Sequence, residues 1–293
     1  MDYVLHLLTI VGIYVILAVS LNLLAGYTGL LSVAHAAIFG VGAYTAALLS
    51  LHFHMPLPVS LIIAVATCAL VGIVVGLPSL RVHEDFFVVA TLGLQVLTVS
   101  VFTNWAAITG GPAGLPGIPQ PTVLGLTITS HMQFLILTGV FAAFTIVVIE
   151  RLVRSPLGRV LKAIREDEVF AQSLGKNVAR HKLQVFVIGA ALAGVAGVLY
   201  AYYLTFIDPT SFTVQESIFM LAIVIVGGSG SIAGSVVGAA LLVALPEALR
   251  FLGLPSSIAA NVRQILYGAL LVICMMFRPQ GILGEFAFRR RQA

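Results

Sequence analysis

The sequence predicts an all-α, polytopic integral membrane protein with about 8–10 transmembrane or re-entrant helices. Three observations carry that reading. First, 60% of the 293 residues are hydrophobic and 9% are charged, with a mean hydropathy of +1.10. A soluble domain carries roughly a quarter charged residues, so this chain has too few charges to cover a surface in water. Second, apolar runs recur along the whole length, at 3–24, 29–50, 57–78, 86–105, 132–149, 183–204, 214–228, 230–247 and 262–277. Third, charge is concentrated in one stretch, residues 150–182, whose eight basic and four acidic residues give a net charge equal to the +4 of the whole chain. Residues 1–293 read as a single membrane domain, with no soluble enzymatic domain attached.

Each apolar run is expected to be helical, because lipid offers no hydrogen-bond partner to an open backbone. No Lys or Arg precedes the first run, whereas a cleaved signal peptide wants a positive leader. Residues 3–24 therefore read as a retained helix. Residues 25–42 are dense in small side chains, and Ala36/Gly40 and Gly72/Gly76 form small-xxx-small pairs that let helices approach closely. His35 is either a packed, hydrogen-bonded histidine or a group facing a translocation path. Arg81-Val82-His83-Glu84-Asp85 reads as a short turn, with Glu84 and Asp85 suited to the N-terminal dipole of the next helix; a second contact for a cytoplasmic partner is the alternative. Gln95 is the deepest polar residue of 86–105, suited to an interhelical hydrogen bond or to a pore. Asn22, His35 and Gln95 are thus the translocation-path candidates. The Gly/Pro stretch 109–119 cannot be a membrane helix and reads as a spacer or an extracytoplasmic docking surface. Gly230, Gly234 and Gly238 make two GxxxG steps, a helix-packing stripe.

The charged stretch must lie in water. The positive-inside rule places 150–182 in the cytoplasm, together with the C-terminal Arg278, Arg289, Arg290 and Arg291. Four crossings separate the two, so the assignments agree, and counting back puts the N-terminus outside. Ser155-Pro156 reads as a helix N-cap followed by proline at the first helical position. Val160, Ile164, Ala171 and Leu174 recur at helical spacing or its multiples, and Gly175 can end the helix. One or two short amphipathic helices are expected, lying on the bilayer or set into a partner's groove.

Several chemistries are excluded or weak. There is no GxxxxGK[ST] phosphate loop, no HExxH, and no cysteine cluster; Cys68 and Cys274 sit singly in apolar runs. No catalytic residue and no metal site is predicted. Gly227-Gly228-Ser229-Gly230 matches the GxSG box of intramembrane serine proteases, but no histidine follows it to act as base. No Asp, Glu, Lys or Arg lies near the middle of an apolar run, and Glu216, Glu247 and Arg263 sit near ends. That argues against an ion-coupled secondary transporter, which usually carries a buried ionisable group. A non-transporting membrane scaffold is the remaining class.

Six stretches together resemble the permease subunit of branched-chain amino-acid ABC importers, of the LivM type: 20–44, 80–93 (LRVHEDFFVVATLG), 109–119 (TGGPAGLPGIP), 155–177, 208–239 and 277–284 (FRPQGILG). The resemblance covers nearly the whole chain. It implies an inner-membrane, multi-pass permease domain that carries hydrophobic amino acids inward without an ATPase site or a cofactor of its own. It also implies four kinds of partner: a second permease forming a heterodimer, two cytoplasmic ATPases, a periplasmic binding protein and membrane lipid, with no nucleic acid. The coupling helix would lie within 155–177, with Ile164, Arg165, Glu166, Glu168, Ala171, Leu174 and Gly175 as coupling residues. The broader importer pattern places Gly six residues after its Glu, whereas Gly175 stands seven after Glu168. Relatives of this permease type handle urea or short amides, so those cargoes are the alternative.

Overall fold

The computed structural model describes residues 2–79, 84–123, 126–250, 256–278 and 280–284. Arg81, His83, Arg289, Arg290 and Arg291 fall outside the described residues. Twelve α-helices are found among those described: α1 (Asp2–Ala25), α2 (His35–Phe53), α3 (Leu57–Ser79), α4 (Glu84–Asn104), α5 (Ala106–Thr109), α6 (His131–Arg154), α7 (Pro156–Glu166), α8 (Glu168–Ser173), α9 (Val178–Leu204), α10 (Val214–Gly227), α11 (Ile232–Arg250) and α12 (Ser256–Phe277). Six of them, α1, α2, α3, α4, α6 and α9, are long and apolar enough to cross a membrane, while α10, α11 and α12 contribute shorter apolar segments. The chain is a multi-pass, all-α membrane protein, as its composition requires.

Burial sorts the helices. From Ile13 to Ala25 almost every side chain of α1 is buried, and α9 is buried along most of its length. A helix apolar on all sides belongs inside such an assembly. Around this centre, α2 and α3 lie along α9, while α6, α10 and α11 pack on α1. Side chains such as Ile62, Val74, Val89, Leu97, Ile136 and Val140 are exposed on α3, α4 and α6, a surface that suits lipid and not water.

Close helix crossings rest on glycine. A Cβ on Gly42 of α2 would stand 2.8 Å from the Gly194 Cα of α9. At the α10–α11 crossing, a Cβ on Gly238 would meet the Ile223 carbonyl at 2.4 Å, and one on Gly234 the Gly227 carbonyl at 2.5 Å. Gly234 and Gly238 therefore form the packing face read from the sequence. Gly230 does not share that helical stripe: it precedes α11 and adopts φ +79° in the turn.

The apolar run 29–50 is not one helix. Residues 26–34 are irregular and mostly buried, and α2 starts only at His35. The backbone there is satisfied internally, as membrane depth demands. Tyr27 N–H donates to the Asn22 carbonyl at 3.1 Å, Leu30 N–H to Leu24 at 3.1 Å and Val33 N–H to Thr91 Oγ1 at 3.2 Å.

The Gly/Pro stretch is tied down at the end of the bundle opposite α7 and α8. Leu115–Pro116 pairs antiparallel with Phe206–Ile207, and Gly114 (φ +71°) leaves no room for a side chain beside the Ile207 carbonyl. Asp208 then caps a 3-10 turn, Pro209–Phe212. Burial works to raise its carboxyl pKa, but donation from Ser211 Oγ (2.6 Å), Thr210 Oγ1 (2.7 Å) and Ser211 N–H (3.1 Å) holds it below the usual carboxylate value. This turn sets where α10 begins.

Candidate functional site

Two short amphipathic helices occupy the charged stretch. Pro156 starts α7 with Ser155 in extended conformation, but the Ser155 hydroxyl donates back to the Leu152 carbonyl at 2.6 Å instead of capping α7. Asp167 breaks the path (φ −154°) and caps α8 by accepting from Phe170 N–H at 2.9 Å. Gly175 takes φ +76° just beyond α8, so it ends the helix as the sequence suggested.

The predicted coupling residues separate into two groups. Ile164 and Ala171 are buried and pack on Val178 of α9, with Val160 beside them. Glu168 reaches Lys182 of α9 at 2.6 Å, and the Lys182 side chain is only 6% exposed. Glu166, Leu174 and Gly175 are exposed. The large exposed apolar side chains are Val169 (75%), Phe170 (59%) and Leu174 (61%). The inward half of the stripe therefore anchors α7 and α8, and the outward half is a different set that includes two residues missed by the spacing. Glu168→Gln removes the carboxylate 2.6 Å from the buried Lys182 ammonium, so it should weaken the α8–α9 junction by about 1–3 kcal/mol. Glu168→Gln/Lys182→Met should recover much of that loss. Thermal unfolding of the purified variants checks both.

Arg165 connects α7 to the membrane interior. Its Nη2 donates to Ser229 Oγ at 3.2 Å, so the serine of the GxSG match is held by a guanidinium and not by a histidine. The same turn is held by Asn22 of α1. Asn22 Oδ1 accepts from Gly230 N–H at 2.9 Å, while Nδ2 donates to the Ser231 carbonyl and to Ser235 Oγ, both at 2.8 Å.

The α2 N-terminus forms a second buried polar centre. Gln95 lies halfway along α4, and its Oε1 accepts from Ala37 N–H at 2.8 Å while Nε2 donates to the Phe212 carbonyl at 2.5 Å. Ala36 N–H donates to Ser217 Oγ at 3.0 Å, and His35 Nε2 lies 2.9 Å from Ser20 Oγ. Asn22, His35 and Gln95 are each 0–1% exposed. In this conformation all three are joints between helices, and none of them faces an open space.

The open space lies elsewhere. A cavity of about 1060 Å³ is lined by residues of α1, α10, α11 and α12 and of the turn before α10. Its polar lining is His6, Tyr14, Thr210, Gln215, Glu216 and Tyr267. Glu216 is in the first turn of α10, and the Tyr14 hydroxyl donates to its Oε1 at 2.5 Å. Glu216 stands near the end of its apolar run, as the sequence said, yet that end is deep. Tyr14 is halfway along α1, a helix of 24 residues or about 36 Å. The reason is that α10, at 14 residues, starts part-way through the bundle.

A bundle of long apolar helices, with a cavity of mixed apolar and polar lining between them and a helical pair projecting from one end, is the architecture of a multi-pass membrane protein. The family model for the branched-chain amino acid transport system permease component matches residues 3–275. The chain belongs to that family. It is 36% identical to the high-affinity branched-chain amino acid transport system permease protein LivM of Escherichia coli (strain K12), over 94% of this chain and 68% of the relative. It is 28% identical to the permease protein BraD of Pseudomonas aeruginosa, over 95% of this chain and 94% of the relative. It also matches the permease protein LivH of Escherichia coli (strain K12) at 36% identity, over 45% of this chain and 41% of that protein. No solved structure matches the chain.

Proposed function

We propose that this chain is the membrane-spanning subunit of an ABC importer that moves branched-chain amino acids into the cytoplasm of a bacterial cell. The observation that carries the proposal is the exposed apolar trio Val169, Phe170 and Leu174, the first two on α8 and the third just past its end, outside the lipid-spanning segments. Apolar side chains on a wet surface suit a partner's groove, and the partner is a cytoplasmic ATPase subunit. The Lys/Arg excess of 150–182 supports a cytoplasmic placement in the inner membrane. Nine apolar helices among the described residues, an odd number, fit an outer N-terminal end and an inner end for α12.

Movement of the ATPase pair is transmitted through α7. Leu161 and Ile164 seat α7 in the bundle, and Arg165 joins it to the α10–α11 turn. Asn22 ties that turn to α1. A shift at the coupling helices therefore bears on α1 and α10, the two helices that meet at the Tyr14–Glu216 contact in the cavity. The partial match to LivH supports pairing with a related second permease, and a periplasmic binding protein would deliver the cargo.

The test is reconstitution of the chain with these partners in liposomes. Uptake of radiolabelled leucine should require ATP on the side of α7 and α8. Uptake by the chain alone, driven by an ion gradient, would overturn the proposal.

A further inference from the structure

We infer that Glu216, with Tyr14, forms a cation-recognition point inside the permease that receives the ammonium group of the cargo as it crosses. The inference deepens the transport reading above and rests on it for the identity of the cargo. Ionisable groups inside a membrane bundle are expensive unless a counter-charge or a water-filled cavity compensates them. Glu216 has the Tyr14 hydroxyl as its hydrogen-bond donor, and among the described residues no cationic side chain pairs with it. It lines a cavity of about 1060 Å³, at the upper limit of small-molecule sites, which run from about 300 to 1,000 Å³.

The remainder of the lining fits the rest of such a molecule. Ile10, Phe219, Ala222, Val243 and Leu271 give the cavity apolar walls, which suit a branched alkyl side chain. Tyr14 also fixes the carboxylate. It is itself held edge-on against Phe219, with ring centroids 5.4 Å apart, so one carboxylate oxygen is oriented by the phenol and the other is left for the cargo. A carboxylate accepts from an ammonium through charge-assisted hydrogen bonds, which are stronger than neutral ones. Glu216, the one acidic side chain among the described lining residues, thus selects for an aliphatic ammonium, and a neutral amide such as urea gains less from it.

The experiment uses membranes carrying the assembled transporter, with Cys68 and Cys274 replaced by alanine and Leu271→Cys as a reporter in the cavity wall. The rate of N-ethylmaleimide labelling is read with leucine, with isoamylamine, which keeps the ammonium and lacks the carboxylate, and with isocaproate, which has the reverse. Leucine and isoamylamine should slow labelling and isocaproate should not. Glu216→Gln should raise the concentration needed for protection by about ten-fold or more, and Glu216→Asp should retain protection. Equal protection by isocaproate, or unchanged protection in Glu216→Gln, would overturn the inference. The amine-versus-acid comparison needs no variant at Glu216, so it stands even if Glu216→Gln fails to fold. ATP-driven uptake is measured in the same membranes. Amine-selective protection without such uptake supports the Glu216 site and removes the importer reading, whereas uptake without amine-selective protection removes the site alone.

Discussion

Phe170→Glu should abolish uptake while leaving the chain inserted and folded. Phe170 is 59% exposed on α8, so a charged side chain there meets water in the free chain. In the assembled importer it would sit in the ATPase groove. Losing a central apolar anchor of an interface costs about 2 kcal/mol or more, roughly thirty-fold in affinity, and a buried carboxylate adds its desolvation cost. The expected result is loss of ATPase co-purification together with loss of uptake, at an unchanged melting temperature of the isolated permease. Val169→Glu should behave alike. Gly175→Pro is a less clean variant, because Gly175 has φ +76° and its N–H donates to the Gln172 carbonyl at 2.9 Å; proline removes the bond and cannot take that angle. Such a change disrupts α8 itself, and its effect on coupling would be mixed with a folding defect.

Asn22→Leu should be among the most destabilising single changes in the bundle. The side chain is 1% exposed and satisfies three groups at once: Gly230 N–H, the Ser231 carbonyl and Ser235 Oγ. Leucine is close in size but leaves the Gly230 N–H without its acceptor, while the Ser231 carbonyl keeps the Ser235 N–H at 3.1 Å and Ser235 Oγ at 3.3 Å. One unsatisfied buried polar group costs about 1–3 kcal/mol, and a loss of about that size is expected. The turn at Gly228–Ser231 would loosen, and with it the seat for Arg165. The measurement is thermal unfolding in detergent alongside ATPase activity of the assembled importer. A large fall in melting temperature with residual ATPase hydrolysis no longer linked to uptake is the expected pair. An unchanged melting temperature would show that Asn22 is not a structural joint.

Much of this architecture is legible in the amino-acid sequence, because long apolar runs leave the backbone few alternatives to helix. The two helices of the charged stretch are also legible from Ser155-Pro156 and Gly175. What hydropathy misses is depth. Leu30, Leu31 and Val33 are as apolar as any helical residue, yet residues 26–34 form a buried irregular segment. The signal available was glycine: Gly29 takes φ +76° in this segment, four residues past the end of α1. Glu216 is missed for the same reason, since distance to the end of an apolar run says nothing of where that end sits in the bundle.

The docking face is missed through phase. A helical stripe of Val160, Ile164, Ala171 and Leu174 assumes one continuous helix, but Asp167 breaks it and α8 restarts with its own rotation. Ala171 remains inward, Leu174 turns outward, and Val169 and Phe170 join it. Polar candidates inside lipid carry a different ambiguity. Asn22, His35 and Gln95 have the chemistry of a path and the geometry of joints, and only the placement of Ser235, Ser20 and the α2 N-terminus against them separates the two roles.

The central claim is that the exposed face of α8 docks on the cytoplasmic ATPase subunit. A photo-reactive phenylalanine analogue at position 170, activated in native membranes, tests it most directly. The account predicts a covalent adduct with the cytoplasmic ATPase subunit, and none from the same analogue at Ile62, which is 69% exposed on the lipid-facing side of α3. No ATPase adduct at position 170, or equal adducts from both positions, would contradict it.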